Sequence, residues 1–261
     1  MGVCGQLARS ANMTQPDENG QYNLDKVHNT YNEDSRYDLN AVNEHYMKPK
    51  PVLWEKGTGK KIVTEVAFGM GHILVLARSP GQAASFAYSA GISNYGQTGH
   101  GDHEQRHELT LIDELCKVPM AKVGAGTHHS IWLSTKGVVY TSGRADYGQL
   151  GYRVGNMDGK GDFQLTPRRV PFPIANDPAK VGRVVDVAGG EAHSLALTST
   201  GQIYSWGFGE YGQCGNDPSL TTKDLQVPTL AENWFPGTDV VATCISGGAQ
   251  HSLVIAKRYK A

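Results

Sequence analysis

Four times this chain writes a small-residue run, a histidine and a short apolar stretch: GMGHILVL, GTHHSIWL, GEAHSLAL and AQHSLVI. The repeat histidines are His72, His129, His193 and His251, spaced 57, 64 and 58 residues apart. A second mark keeps the same beat, as SNYGQTG ending at Gly99, ADYGQLG ending at Gly151 and GEYGQCG ending at Gly215. The short run CGQLA, Cys4 to Ala8, repeats the core of that mark. Self-similarity at a fixed period means that each unit is one supersecondary element that cannot bury its apolar face alone, so neighbours must stack.

The clearest unit is VVDVAGGEAHSLALTSTGQIYSWGFGEYGQCG, from Val184 to Gly215. VVDVA alternates apolar and polar residues as a half-buried strand does. GGEA turns the chain, HSLALT alternates again, STG is a second turn, and QIYSWG is rich in β-branched and aromatic residues. Short strands joined by glycine turns, with no helical periodicity, make a small antiparallel sheet. Setting such sheets radially leaves only short, protected edges, which is the β-propeller solution. The predicted fold class is therefore all-β, a β-propeller. The second strand of each blade is expected to line the central channel. The repeat histidine then marks the turn into the innermost strands, bonding the backbone of its own or the next blade.

The units run over 51–116, 117–178 and 179–237, with a partial closing blade at 238–261 and the end of a truncated blade at 1–9. About three and a half blades cannot close a ring, so the phase predicts part of a longer chain. Between the marks lies a polar surface insertion, residues 10–50, with clustered Asn, Asp, Glu and Tyr and few aliphatics. It holds seven acidic residues against four basic ones, and its composition predicts an exposed, mobile segment.

Thirty-two glycines, about 12% of the chain against roughly 7% in ordinary proteins, fall mostly at the repeat junctions. The formal net charge of −1 gives no bulk attraction to nucleic acid or anionic membrane. No apolar run approaches the roughly 20 residues of a membrane span, and the N-terminus lacks a signal-peptide core. No membrane association and no direct sequence-specific binding of nucleic acid are expected. The four cysteines, Cys4, Cys116, Cys214 and Cys244, have no metal-type spacing and read as buried free thiols of a reducing compartment.

Several motifs resemble chemistry and are better explained by the repeat. GFGEYG, Gly207 to Gly212, matches GxGxxG, but GISNYG and GRADYG stand at the same place in other units and no helix pattern follows. GTGKK, Gly57 to Lys61, lacks the first glycine and the Ser/Thr of a phosphate-binding loop. His100, Asp102, His103 and His107 would share a helix face, yet no second ligand cluster accompanies them. No metal, no cofactor and no catalytic residue are predicted. One position does break the repeat. The residues just before the repeat histidines are Gly71, His128, Ala192 and Gln250, so His128 is an extra histidine. It is expected at one mouth of the channel, as a polar contact to a partner.

These units resemble the regulator of chromosome condensation family, whose repeat reads roughly as strand, GxxHSxxL, strand, WGxGxxGQLG. The resemblance covers Cys4–Ala8 and nearly all of 62–261. It implies a propeller that is seven-bladed in the complete protein, nuclear (otherwise cytoplasmic), acting without covalent chemistry as a guanine nucleotide exchange factor for the small GTPase Ran. The alternative within the family is a repeat scaffold that binds another protein without exchange. By motif match, His128 and His251 belong to the GTPase-binding face. Arg9 lies where the family has a basic residue near the same rim, and the repeat register adds Gln250. His72, His129 and His193 are the structural repeat positions. The family's wedge loop comes from an earlier blade, and its chromatin-docking loop is arginine-rich where residues 10–50 here are net acidic. Chromatin or histone contacts are thus expected mostly through parts outside this chain.

Overall fold

The computed structural model describes residues 52–155, 162–173, 182–215, 224–231 and 240–258. Arg9, Cys4, the CGQLA mark and the insertion at 10–50 lie outside the described residues. Strands β1 (Ile62–Phe68), β2 (His72–Arg78), β3 (Phe86–Gly91) and β4 (Arg106–Leu111) form one antiparallel sheet in sequence order. Strands β5 (Met120–Ala125), β6 (His129–Ser134), β7 (Val139–Arg144) and β8 (Phe163–Arg169) form the second. The third comprises β9 (Val184–Gly189), β10 (His193–Thr198), β11 (Ile203–Phe208) and β12 (Asp224–Leu230). β13 (Val240–Gly247) and β14 (Ser252–Arg258) pair as a two-stranded sheet. Asp113–Leu115 forms a 3-10 turn, and among the described residues no helix is long and apolar enough to cross a membrane. The described residues form an all-β propeller segment of three four-stranded blades and a two-stranded part of a fourth.

The apolar core lies between blades rather than inside any one of them. Leu74 and Leu76 of β2 meet Val123 and Trp132 of the second sheet, while Ile131 and Leu133 turn the other way toward Val184 and Val187 of the third. Leu195 and Leu197 in turn face Ala242 and Ile245. Successive side chains on a strand point to opposite faces, so β6 and β10 serve two interfaces and every residue in them is buried. Pro167 and Pro228 sit in the outermost strands β8 and β12, where a missing N–H is tolerated.

The radial order differs from the expectation. The first strands β1, β5, β9 and β13 are the ones that touch one another from sheet to sheet, so they, and not the second strands, surround the axis. The second strand is apolar on both faces because a sheet packs on either side of it. The first strand alternates because part of it faces the channel. The thiols also depart from a uniformly buried set. Cys214 is buried, and burial pushes its thiol up to about 12, but Cys116 is half-buried and Cys244 is exposed beside the irregularity in β13.

Candidate functional site at the mouth of the propeller

Each first strand passes to the second through a two-residue turn closed by a Gly-to-His backbone bond. Gly69 donates to the carbonyl of His72, Gly126 to His129, Gly190 to His193 and Gly248 to His251, at 2.8–2.9 Å. The glycine is obligatory at this place. A Cβ on Gly126 would lie 2.1 Å from Cε1 of His129 and 2.4 Å from the carbonyl oxygen of Gly190, well inside atomic contact.

His72, His129 and His193 are buried and bridge the blades through a serine rather than through the backbone. Nε2 of His72 lies 2.8 Å from Oγ of Ser130, Nε2 of His129 lies 2.9 Å from Ser194, and Nε2 of His193 lies 2.8 Å from Ser252. Each serine belongs to the following sheet and donates its own proton back across the seam, to the carbonyls of Gln97, Gln149 and Gln213 at 2.5, 2.8 and 2.8 Å. With the hydroxyl proton committed, the histidine must be the donor, so Nε2 carries the hydrogen and Nδ1 is bare. Nδ1 of all three has no partner. Burial holds these imidazoles neutral, at about 3, 3 and 4 for His72, His129 and His193. The glutamines of the second mark also brace their own turns. Their Oε1 atoms accept from the N–H of Tyr95, Tyr147 and Tyr211 two residues earlier, at 2.9–3.0 Å.

His128 lies in the turn itself. Its carbonyl accepts from the N–H of Arg144 at 2.9 Å, and Gly143, at φ 111°, lets that strand approach. A Cβ there would stand 2.4 Å from the His128 oxygen. The ring is half-buried and tilts against Tyr95, with centroids 5.1 Å apart. Partial burial lowers its affinity for a proton, Arg144 adds to this, and Glu191 opposes it. The Arg144 guanidinium lies over Tyr95 at 5.2 Å and Tyr147 at 5.9 Å and is held by Asp146. Tyr147 then meets Phe208 edge-on at 5.1 Å, and Phe208 meets Tyr211 at 5.7 Å. The result is a continuous strip of rings and one cation across the mouths of three sheets. Beside it a cleft of about 160 Å³ opens between Tyr147, Glu191, Phe208, Tyr211 and Gln250.

The structure thus brings His128 and Gln250 to the same turn position of two sheets, on one face. His251 stands one residue further on, where the three bridging histidines stand in theirs. Its ring is exposed, and no described sheet supplies it with a serine. Sequence reasoning alone does not single out Tyr95, Arg144, Tyr147 or Phe208. The tyrosine recurs in every second mark, SNYGQ, ADYGQ and GEYGQ, and that recurrence is the available signal. The exposed rings of Tyr147 and Tyr211, with the half-buried Arg144 beside them, suit the anchoring of a protein partner. Three of the four residues considered for a metal are engaged separately, while Nδ1 of His107 has no partner. His100 is bonded to Ser89 at 2.9 Å, Asp102 accepts two bonds from Arg106 at 2.8 Å, and His103 contacts the carbonyl of Asn94 at 3.0 Å. Among the described residues no three His, Cys, Asp or Glu side chains are grouped to hold an ion.

Comparison with known proteins matches residues 136–197 and 200–255 to the regulator of chromosome condensation (RCC1) repeat, with a second model of the same repeat on 184–213. The Danio rerio protein RCC2 homolog is 32% identical over 220 residues, 77% of this chain and 41% of that protein. The Mus musculus RCC1 domain-containing protein 1 is 31% identical over 200 residues, 67% of this chain and 52% of that one. The chain thus spans about half or less of these two relatives. Among solved structures, Prp20p of Saccharomyces cerevisiae superposes with a TM-score of 0.68 at 23% identity, over 100% of this chain and 51% of that one. That protein was described together with its binding to Gsp1p and histones.

Proposed function

Because the chain belongs to the regulator of chromosome condensation (RCC1) repeat family, we propose that it is the partner-binding segment of a nuclear exchange factor for a Ran-type small GTPase. The observation that carries this reading is the strip at the propeller mouth: His128, Tyr95, Arg144 and Tyr147 gathered on one face with Gln250 across the adjoining cleft. An exchange factor needs no covalent chemistry. It releases nucleotide by binding the empty GTPase more tightly than the loaded one, and only that difference in affinity does the work. In this reading His128 and Gln250 contact the GTPase from the turns, Arg144 supplies a charge whose orientation is fixed by Asp146 and two rings, His251 extends the same face, and Arg9 is a further contact. The binding of Gsp1p and histones described for Prp20p supports partners of these two kinds. Chromatin would then be reached mainly by parts other than those described. The test is GDP release from Ran with the complete protein and with its His128→Ala variant. Acceleration that falls in the variant supports exchange through this face.

A second reading is a scaffold that uses the mouth to hold another protein without exchanging nucleotide. The match to an RCC2 homolog and to an RCC1 domain-containing protein, over less than their full lengths, favours keeping it. Binding of a partner that depends on Arg144 and Tyr147, with no effect on GDP release, would select it.

A further inference from the structure

The opposite end of the sheets carries a second surface. There β6 turns into β7 at Lys136 and Gly137, beside the end of β8 at Arg169 to Phe172 and the start of β9 at Arg183 and Val184. A groove of about 550 Å³ opens between these segments. Its floor is made by Val139, Val170 and Val184, and one wall by Phe172, whose ring is fixed edge-on against Tyr204 and Trp206 at 5.5 Å. Three cations stand on the rim, Lys136, Arg169 and Arg183, all exposed. Among the described residues the ion pairs are Arg106 with Asp102, Lys122 with Glu65 and Arg144 with Asp146, so no described carboxylate neutralises a rim cation. Neighbouring Arg168 is committed elsewhere, lying 4.8 Å from the Tyr152 ring. In a chain of net charge −1, three unpaired cations around one apolar groove form a local excess that calls for a matching anion.

We propose that this groove docks an acidic segment of a partner protein, which places an apolar side chain on the valine floor and carboxylates against Lys136, Arg169 and Arg183. The shape argues for a peptide over other polyanions. A duplex phosphate backbone offers nothing to cover the floor, and a bilayer surface cannot enter a concave site. Carboxylates flanking a leucine or phenylalanine satisfy both the floor and the rim.

The probe is a fluorescent octapeptide of glutamate and aspartate around one leucine–phenylalanine pair, followed by anisotropy with the full chain. The expected result is saturable binding that weakens tenfold or more in the Lys136→Glu, Arg183→Glu double variant, and also when the peptide's acids become glutamine and asparagine. It should weaken with added salt, because exposed charges are screened within about 10 Å at 0.1 M. His128→Ala should leave it unchanged, while GDP release in the same preparation reports on the mouth independently. The charge reversals are at exposed positions. Should the double variant fail to melt cooperatively, Arg169→Glu alone carries the test. Absence of peptide binding, equal binding by the charge-reversed protein, or preferential capture of DNA duplex or phosphatidylserine vesicles would overturn the proposal.

Discussion

At the scale of single residues, the adjacent pair His128 and His129 separates the proposed partner contact from a structural bridge. His129→Ala removes a buried donor to Ser194 and leaves that hydroxyl short of a partner, so it should destabilise the protein by about 1–3 kcal/mol in urea unfolding. His128→Ala removes only ring contact with Tyr95 and should change stability little. It should weaken partner binding by about 1–3 kcal/mol, the range of a good interface contact. The buried imidazoles also set a pH dependence. Their folded values lie below the unfolded value near 6.5, so below that pH the unfolded chain takes up protons that the folded chain refuses. Stability should be full above about pH 7 and fall as pH drops from about 6.5 toward 4. Unfolding midpoints measured at pH 7.5 and pH 5 check this. Equal midpoints would mean that these rings take up protons in the folded protein as readily as in the unfolded chain. The special status of His128 was legible in the sequence, because a repeat supplies its own register. The serine partners were not, since the serine follows its own repeat histidine and bonds to the histidine of the sheet before.

At the scale of elements, the turn from first to second strand has no room for a side chain at its opening glycine. Gly126→Ala forces a Cβ into both the His129 ring and the neighbouring carbonyl, which should cost about 1–3 kcal/mol or more, as overpacking does. Thermal melting measures it. A variant as stable as the parent would require the turn to open without loss. The alternation in VVDVA and HSLALT made the strands and their pairing readable from sequence. Their distance from the axis was not readable. HSLALT looks like the most interior strand because both of its faces are covered, yet a strand second from the axis is covered by the sheets on either side. Depth in a layer stack and nearness to the channel are different quantities, and hydrophobicity reports only the first.

At the scale of the whole molecule, the period made the architecture legible before any single element was certain, because each unit's apolar face required a neighbour. The mouth strip was harder to see. Tyr95, Arg144, Tyr147 and Phe208 are far apart in sequence and meet only because successive sheets present the same turn at the same end. The polar segment 10–50 offers little apolar surface to a core, so deleting residues 11–48 should leave the melting temperature within a few degrees of the parent. A large drop would make that segment part of the folded array.

The bridge from histidine to serine to glutamine carbonyl has a direction. A sheet presents an imidazole and a carbonyl on one side and a hydroxyl on the other, so the second and third sheets can be joined head to tail and in no other sense. Like a plug and socket of one standard, the fitting is common to every seam described, and either sheet could in principle follow the other. The polar bridge is thus the same at each seam, although the apolar side chains packed beside it differ from seam to seam. Divergence is then free to accumulate at the exposed turns, where identical frames carry His128 in one unit and Gln250 in another.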